Sequence, residues 1–442
     1  MAVIPLFVVV VNRRKSCLIS YIMVSAILLA WHMLAAVVCS AALPALHYTD
    51  THSIPLPPSQ DPFYTAPIGY ENTKPGTILR IRLAPGNLTT VTGNCSSIHN
   101  ILYRTTNSLN EASWAVTTLF TPASNSTLAN ALLSYQIPYN SADVDASPSY
   151  LMYNDTQRPS DIRAALGRGW YVNVPDFEGP LASFPLGVQE GHATLDSVRA
   201  VLSPGLGLSK DIRYALWGYS GGSVASEWAA ELQVQYAPEP NFVGAALGGL
   251  VPNATSVFES ITGTRWAGLI PSCLVGMTSQ YPQAYNFLLS KLKTSGPYNK
   301  TMFLSVKDMN SDQAFTTFAG QNIFDYLEGG LAVYFTPILQ KIIHTNGMMG
   351  YHGVPQMPLF MYKAIQDELS PIKDTDELVQ RYCGVGANIL YQRNSIGGHL
   401  AEYANGDAGA FAWLSSVFEG TDYSSLGCII EDVALNTTDS PL

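Results

Sequence analysis

The sequence predicts an α/β protein, with a mostly parallel sheet carrying helices on both faces and a helical cap inserted late in the chain. Three observations carry this reading. Short runs rich in Val, Ile, Leu, Tyr and Phe, bounded by Gly, Pro or Asn, recur as strands do. Helical patterns separate the later runs, and strand-helix alternation calls for parallel strands joined by crossovers. From about Val251 to His352 that rhythm stops, and apolar residues such as Ile323, Leu327 and Leu331 recur at helical spacing. Of the 442 residues 47% are apolar and 13% charged, which suits a large buried core and excludes a disordered chain.

Residues 1–41 read as a signal peptide. Arg13, Arg14 and Lys15 precede an apolar run from Cys17 to Val38, and small residues follow, with cleavage expected after Ala41. The run is long enough that an uncleaved membrane anchor is the alternative. Residues 42–250 are the first part of the core, 251–352 the cap, and 353–442 the second part of the core. Up to about Gly76 the mature chain is rich in Pro and polar residues and is expected to wrap the surface. The predicted strands are 77–84, 101–107, 114–120, 131–137, 169–175, 213–218, 242–249, 357–364 and 387–394, with helices over 192–203, 223–237 and 375–383.

Removing residues 1–41 takes three of 23 basic residues and none of 33 acidic ones, leaving 20 against 33 and a net charge of −13. Such a body repels nucleic acid and anionic membrane surfaces, and no stable membrane insertion is expected after signal removal. Four cysteines remain, none in a C-x-x-C pair, so disulfides are expected, with Cys95 paired to Cys273 and Cys383 to Cys428. Seven N-x-[ST] acceptors, at Asn87, Asn94, Asn125, Asn154, Asn253, Asn299 and Asn436, fit an exported glycoprotein and are expected near the surface.

The stretch "RYALWGYSGGSVASEWAAEL" places an apolar strand, a sharp turn at Gly218-Tyr219-Ser220-Gly221-Gly222 and a helix in succession. A nucleophile elbow needs that context: residues without side chains at 218 and 222 let strand and helix approach, and the turn lifts the serine hydroxyl above the sheet edge. The Gly221 N–H, at the helix N-terminus, can face a developing oxyanion. A serine needs a base, and in this fold type the order is Ser, acid, His. His344 and His352 fall in or beside the cap. His399 follows the last predicted strand in a glycine-rich loop and is the expected base. Asp367, just past the strand 357–364, is the expected acid, with Glu368 as runner-up.

The blocks "GWYVNVPDFEGPLASFPLGVQEGHATLDSVRA" (169–200), "WGYSGGSVASEWAAEL" (217–232), "PLFMYKAIQDELSP" (358–371) and "IGGHLAEY" (396–403) resemble the fungal secretory lipase family, of the Candida antarctica lipase A type, across nearly the whole mature length. The resemblance implies an α/β-hydrolase core with a helical lid, no cofactor, and a triad at Ser220, Asp367 and His399. It also implies a second oxyanion donor after the first long strand, within 134–150, where the family carries an acidic residue and this chain has Asn140.

The expected activity is secreted carboxylic ester hydrolysis through an acyl-enzyme, most simply of triacylglycerols, with an ester or lipid substrate that could lie at a lipid-water interface. A narrow esterase or deacetylase of small acylated metabolites is the alternative, and a catalytically silent binding protein of the same fold the rival from another class. A peptidase is disfavoured, since no acidic cluster stands ready for a peptide amine. "GLGLSK" (205–210) and "GVGANI" (384–389) lack the third glycine of a dinucleotide site, and no H-E-x-x-H or P-loop motif occurs. Oligomeric state is left open.

Overall fold

The computed structural model describes residues 54–123, 130–154, 160–421 and 427–437. The expected leader 1–41 and the acceptor Asn125 lie outside these. Among the described residues ten strands form one sheet in the order β1-β2-β3-β5-β4-β6-β7-β8-β9-β10. They are β1 (Ile78–Leu83), β2 (Cys95–Thr106), β3 (Ala112–Pro122), β4 (Ala131–Gln136), β5 (Tyr171–Pro175), β6 (Arg213–Tyr219), β7 (Gly244–Gly248), β8 (Leu359–Ala364), β9 (Ile389–Asn394) and β10 (Cys428–Val433). The first three run antiparallel to their neighbours, and from β5 through β10 every pairing is parallel.

Parallel strands buried on both faces alternate their side chains between two apolar layers. In β6, Ala215, Trp217 and Tyr219 enter one layer, where Phe411, Trp413 and Leu414 of the last helix pack. Leu216 enters the other, against Val224, Trp228 and Ala229. Phe360 and Tyr362 of β8 face the first layer, Leu359 and Met361 the second. The helices involved are α1 (Ser160–Gly167), α2 (Gly187–Val201) and α3 (Gly221–Tyr236).

Between β7 and β8 lie α4 (Ala254–Ile261), α5 (Leu269–Thr278), α6 (Pro282–Lys291), α7 (Ser311–Phe318) and α8 (Pro337–Asn346), with shorter helical turns. They share a core of their own, including Phe258, Ile270, Leu288, Phe303, Phe318 and Leu339. That core also takes in Leu186, Phe184 and Leu369, so the insert rests on loops at the carboxyl edge of the sheet. Two helices follow, α9 (Ile372–Gly384) and α10 (His399–Glu419).

Three expectations are corrected. The expected last strand, β9, is followed by another, β10, whose largely exposed side chains and acidic Glu431 and Asp432 hide the usual apolar signature of a strand. His399 does not sit in the glycine-rich loop but opens the 21-residue helix α10, the loop ending at Gly398. Of the two expected disulfides, Cys383–Cys428 is present, with Cα atoms 5.8 Å apart, tying the end of α9 to β10. Cys95 and Cys273 are free: Cys95 starts β2, its Sγ facing the Thr89 carbonyl at 3.6 Å, whereas Cys273 is buried in α5 within the insert's core. The sheet and the insert hold these two thiols in separate layers.

Asn87, Asn94, Asn154 and Asn436 are exposed, while Asn253 and Asn299 are half-buried and cap helices with their Oδ1 atoms. Among the described residues no helix is long and apolar enough to cross a membrane.

Candidate active site

The turn between β6 and α3 holds Ser220 at φ 53° and ψ −123°, a left-handed conformation that strains any residue but glycine. The Ser220 N–H donates to the Gly248 carbonyl oxygen at 2.9 Å, and its own carbonyl accepts from Val224 N–H and Ser223 Oγ. Glycines around it answer to sterics. A Cβ on Gly218 would overlap the backbone of Gly222, and one on Gly222 would overlap the carbonyl oxygen of Gln136 on β4. Strand and helix therefore approach as closely as backbone allows, which tips the serine side chain over the carboxyl edge of the sheet.

Three side chains from three separate elements meet there. His399 Nε2 lies 2.8 Å from Ser220 Oγ, and His399 Nδ1 lies 2.8 Å from Asp367 Oδ2. All three are buried. Asp367, two residues beyond the loop start after β8, is held at both oxygens: Oδ1 accepts from the N–H groups of Leu369 and Ser370 at 2.9 Å, and Oδ2 also accepts from Lys363 Nζ at 2.8 Å. Burial alone would push the Asp367 carboxyl up. The His399 hydrogen bond and the Lys363 charge outweigh it and hold the group well below the usual carboxylate range. Lys363, buried in β8, donates as well to the Leu250 carbonyl at 2.8 Å, and burial lowers its own pKa against the opposing pull of Asp367.

Glu368, the runner-up acid, has a different place. Its Oε2 accepts from the His399 backbone N–H at 2.8 Å, and its Oε1 pairs with Arg265 at 3.2 Å. It thus satisfies a free N–H at the start of α10 and secures the backbone that carries the imidazole. Tyr219 Oη donates to the His399 carbonyl, and the Trp266 ring stands edge-on 6.2 Å from the imidazole.

Asn140, in the loop after β4, sits at φ 47° and reaches Gly221: a Cβ on Gly221 would overlap the Asn140 amide. The Asn140 Oδ1 is buried without a protein partner. Ser220, Gly221 and Asn140 all line one cavity. Its remaining wall is almost wholly apolar, including Phe184, Trp228, Phe258 and Leu269, and no charged residue lines it. Among the described residues no cluster of His, Cys, Asp and Glu is arranged to hold a metal ion. All five residues expected at the site are therefore brought together. Lys363 was missed by the sequence reading, because a lysine inside an apolar strand carries no signal of its charge partner beyond the i, i+4 spacing to Asp367.

The secretory lipase family model matches residues 156–425. The chain is 50% identical to the trichothecene C-3 esterase of Fusarium sporotrichioides, over 88% of this chain and 91% of that protein. It is 42% identical to a probable trichothecene esterase of Stachybotrys chartarum, over 92% and 87%. The X-ray structure of Candida antarctica lipase A superposes with a TM-score of 0.77 at 28% identity, covering 88% of this chain and 92% of that one. With its ten-stranded sheet, its strained serine turn and these likenesses, the chain belongs to the secretory lipase family, ester hydrolases of the α/β-hydrolase fold.

Proposed function

We propose that this chain is an exported serine esterase that deacylates a compact acylated alcohol, an acylated trichothecene being the first candidate. The observation that carries the chemistry is the unbroken line of 2.8 Å contacts from Ser220 Oγ through His399 to Asp367, opening on a largely apolar cavity. Ser220 Oγ attacks the ester carbonyl while His399 Nε2 takes its proton, and Asp367 fixes the tautomer and stabilises the imidazolium. The oxyanion is held by the Gly221 N–H at the head of α3, with Asn140 Nδ2, the donor end of the amide beside Gly221, as second donor. The imidazolium protonates the leaving alcohol, and water then hydrolyses the acyl-enzyme by the same route.

The choice of substrate is supported by the trichothecene esterases among the relatives. Export is supported by the leader-like residues 1–41, the N-glycosylation acceptors and the disulfide. A triacylglycerol lipase is the second reading. It is favoured by the apolar wall that the insert supplies and by the likeness to Candida antarctica lipase A.

A panel of p-nitrophenyl esters from acetyl to palmitoyl, an emulsified triglyceride and an acetylated trichothecene separates the two. The esterase reading expects the highest kcat/KM on the short acyl members and release of acetate from the trichothecene. A preference for long acyl chains together with rapid triglyceride hydrolysis overturns it in favour of the lipase. Ser220→Ala is expected to lower kcat by at least about 10⁴-fold and to abolish labelling by a fluorophosphonate.

A further inference from the structure

Asn346 ends α8 at the cavity wall and is fully buried. Its Nδ2 donates to the Ile342 carbonyl at 3.2 Å and to Tyr281 Oη at 3.2 Å. A backbone carbonyl can only accept, so the nitrogen must be the atom facing Ile342, which fixes the amide's orientation. The other end, Oδ1, is buried and has no protein partner. An unpaired buried carbonyl is costly, and here it belongs to a residue of the same cavity that holds the Ser220 hydroxyl. A fully apolar ligand filling the cavity would leave that oxygen desolvated and unmatched.

We propose that Asn346 is a specificity-determining residue whose Oδ1 accepts a hydrogen bond from a hydroxyl on the part of the substrate that enters the cavity. The enzyme then selects apolar esters that carry such a hydroxyl over their deoxy counterparts. A hydroxyl fits better than an ammonium group, because no carboxylate lines the cavity and a cation would be stripped of water without compensation. This selectivity rests on the reading that Ser220 attacks esters bound in this cavity.

Two matched pairs of probes test it, one for each half of an ester: the monoacetate of trans-1,4-cyclohexanediol against cyclohexyl acetate, and p-nitrophenyl 6-hydroxyhexanoate against p-nitrophenyl hexanoate. In the wild type, kcat/KM is expected to favour the hydroxylated member of at least one pair by roughly 10- to 100-fold. In Asn346→Leu and Asn346→Ala that ratio is expected to fall to within about threefold of unity. The ratio is internal to one preparation and does not depend on the active fraction, so a merely structural role for Asn346 would not move it. A wild-type ratio near one in both pairs overturns the proposal, as does a preference that persists in a folded variant. Fluorophosphonate labelling of the wild type keeps the two claims apart: labelling with no hydroxyl preference defeats this inference alone, and absence of labelling and turnover defeats the Ser220 reading with it.

Discussion

Asp367 carries the most crowded set of partners at the site: one imidazole, one ammonium group and two backbone N–H groups. Its carboxyl titrates below the unfolded value near 3.9, so the stability it contributes is complete above that pH and is lost only as pH falls through the depressed folded value. The acid limb of the activity profile therefore does not report Asp367. Lys363→Met removes the buried positive charge and lets that pKa climb. The expected outcome is a destabilisation of about 3 kcal/mol, since breaking a buried ion pair leaves a charge uncompensated, and an acid unfolding transition displaced to higher pH. Thermal melts at neutral pH and across the acid range measure the two effects; an unmoved acid transition would show that Lys363 does not tune the acid. Glu368, adjacent in sequence, has no such role, because its carboxylate faces the backbone of His399 rather than the ring. Neighbouring carboxyls in "QDEL" look alike as letters, and only their directions in space divide the work between them.

Among the elements, the β6-turn-α3 unit depends most on what is missing from its side chains. Gly222→Ala places a methyl on the Gln136 carbonyl, and neither strand can retreat because β4 and β6 share six paired positions. The expected cost is about 3 kcal/mol or more, with Ser220 displaced from His399. A lowered Tm together with lost fluorophosphonate labelling checks it, and full labelling at wild-type stability would mean that the turn has more slack than its geometry allows. This unit was legible in the sequence because strand, glycines and helix are contiguous. Two other elements were not. The helix α10 begins directly after Gly397 and Gly398, and its N-terminus is secured by Glu368 from another loop, a partner invisible to local pattern. The strand β10 is stabilised by pairing along β9 and by the Cys383–Cys428 bridge rather than by a buried face.

Across the whole molecule, buried carboxyl groups set the pH window. Burial pushes Asp176, Glu402 and Asp407 up to about 7 and Asp196 up to about 6. A raised folded pKa means the native state holds protons that the unfolded chain has released, so the stability due to these groups is full below about pH 4 and is lost as pH rises toward 7. Asp367 and Glu231 act in the opposite sense: burial raises them, but their hydrogen bonds and charge partners win, and their contribution is lost below about pH 4. Together they predict greatest stability between about pH 4 and 6, with Tm at pH 8 lower by on the order of 5 °C than at pH 5. Melting curves across that range check this, and a Tm that rises steadily to pH 8 would contradict it.

By itself, the sequence determined the α/β alternation, the serine turn and the few candidates for its partners, because period-two burial, glycine sterics and the order of motifs can be read along the chain. The pairing of cysteines, the start of α10, the division of labour between Asp367 and Glu368, and the buried amides of Asn140 and Asn346 were decided only by tertiary structure. Each depends on which groups distant in the chain are brought within a few ångströms of each other, and local periodicity carries no record of such distances.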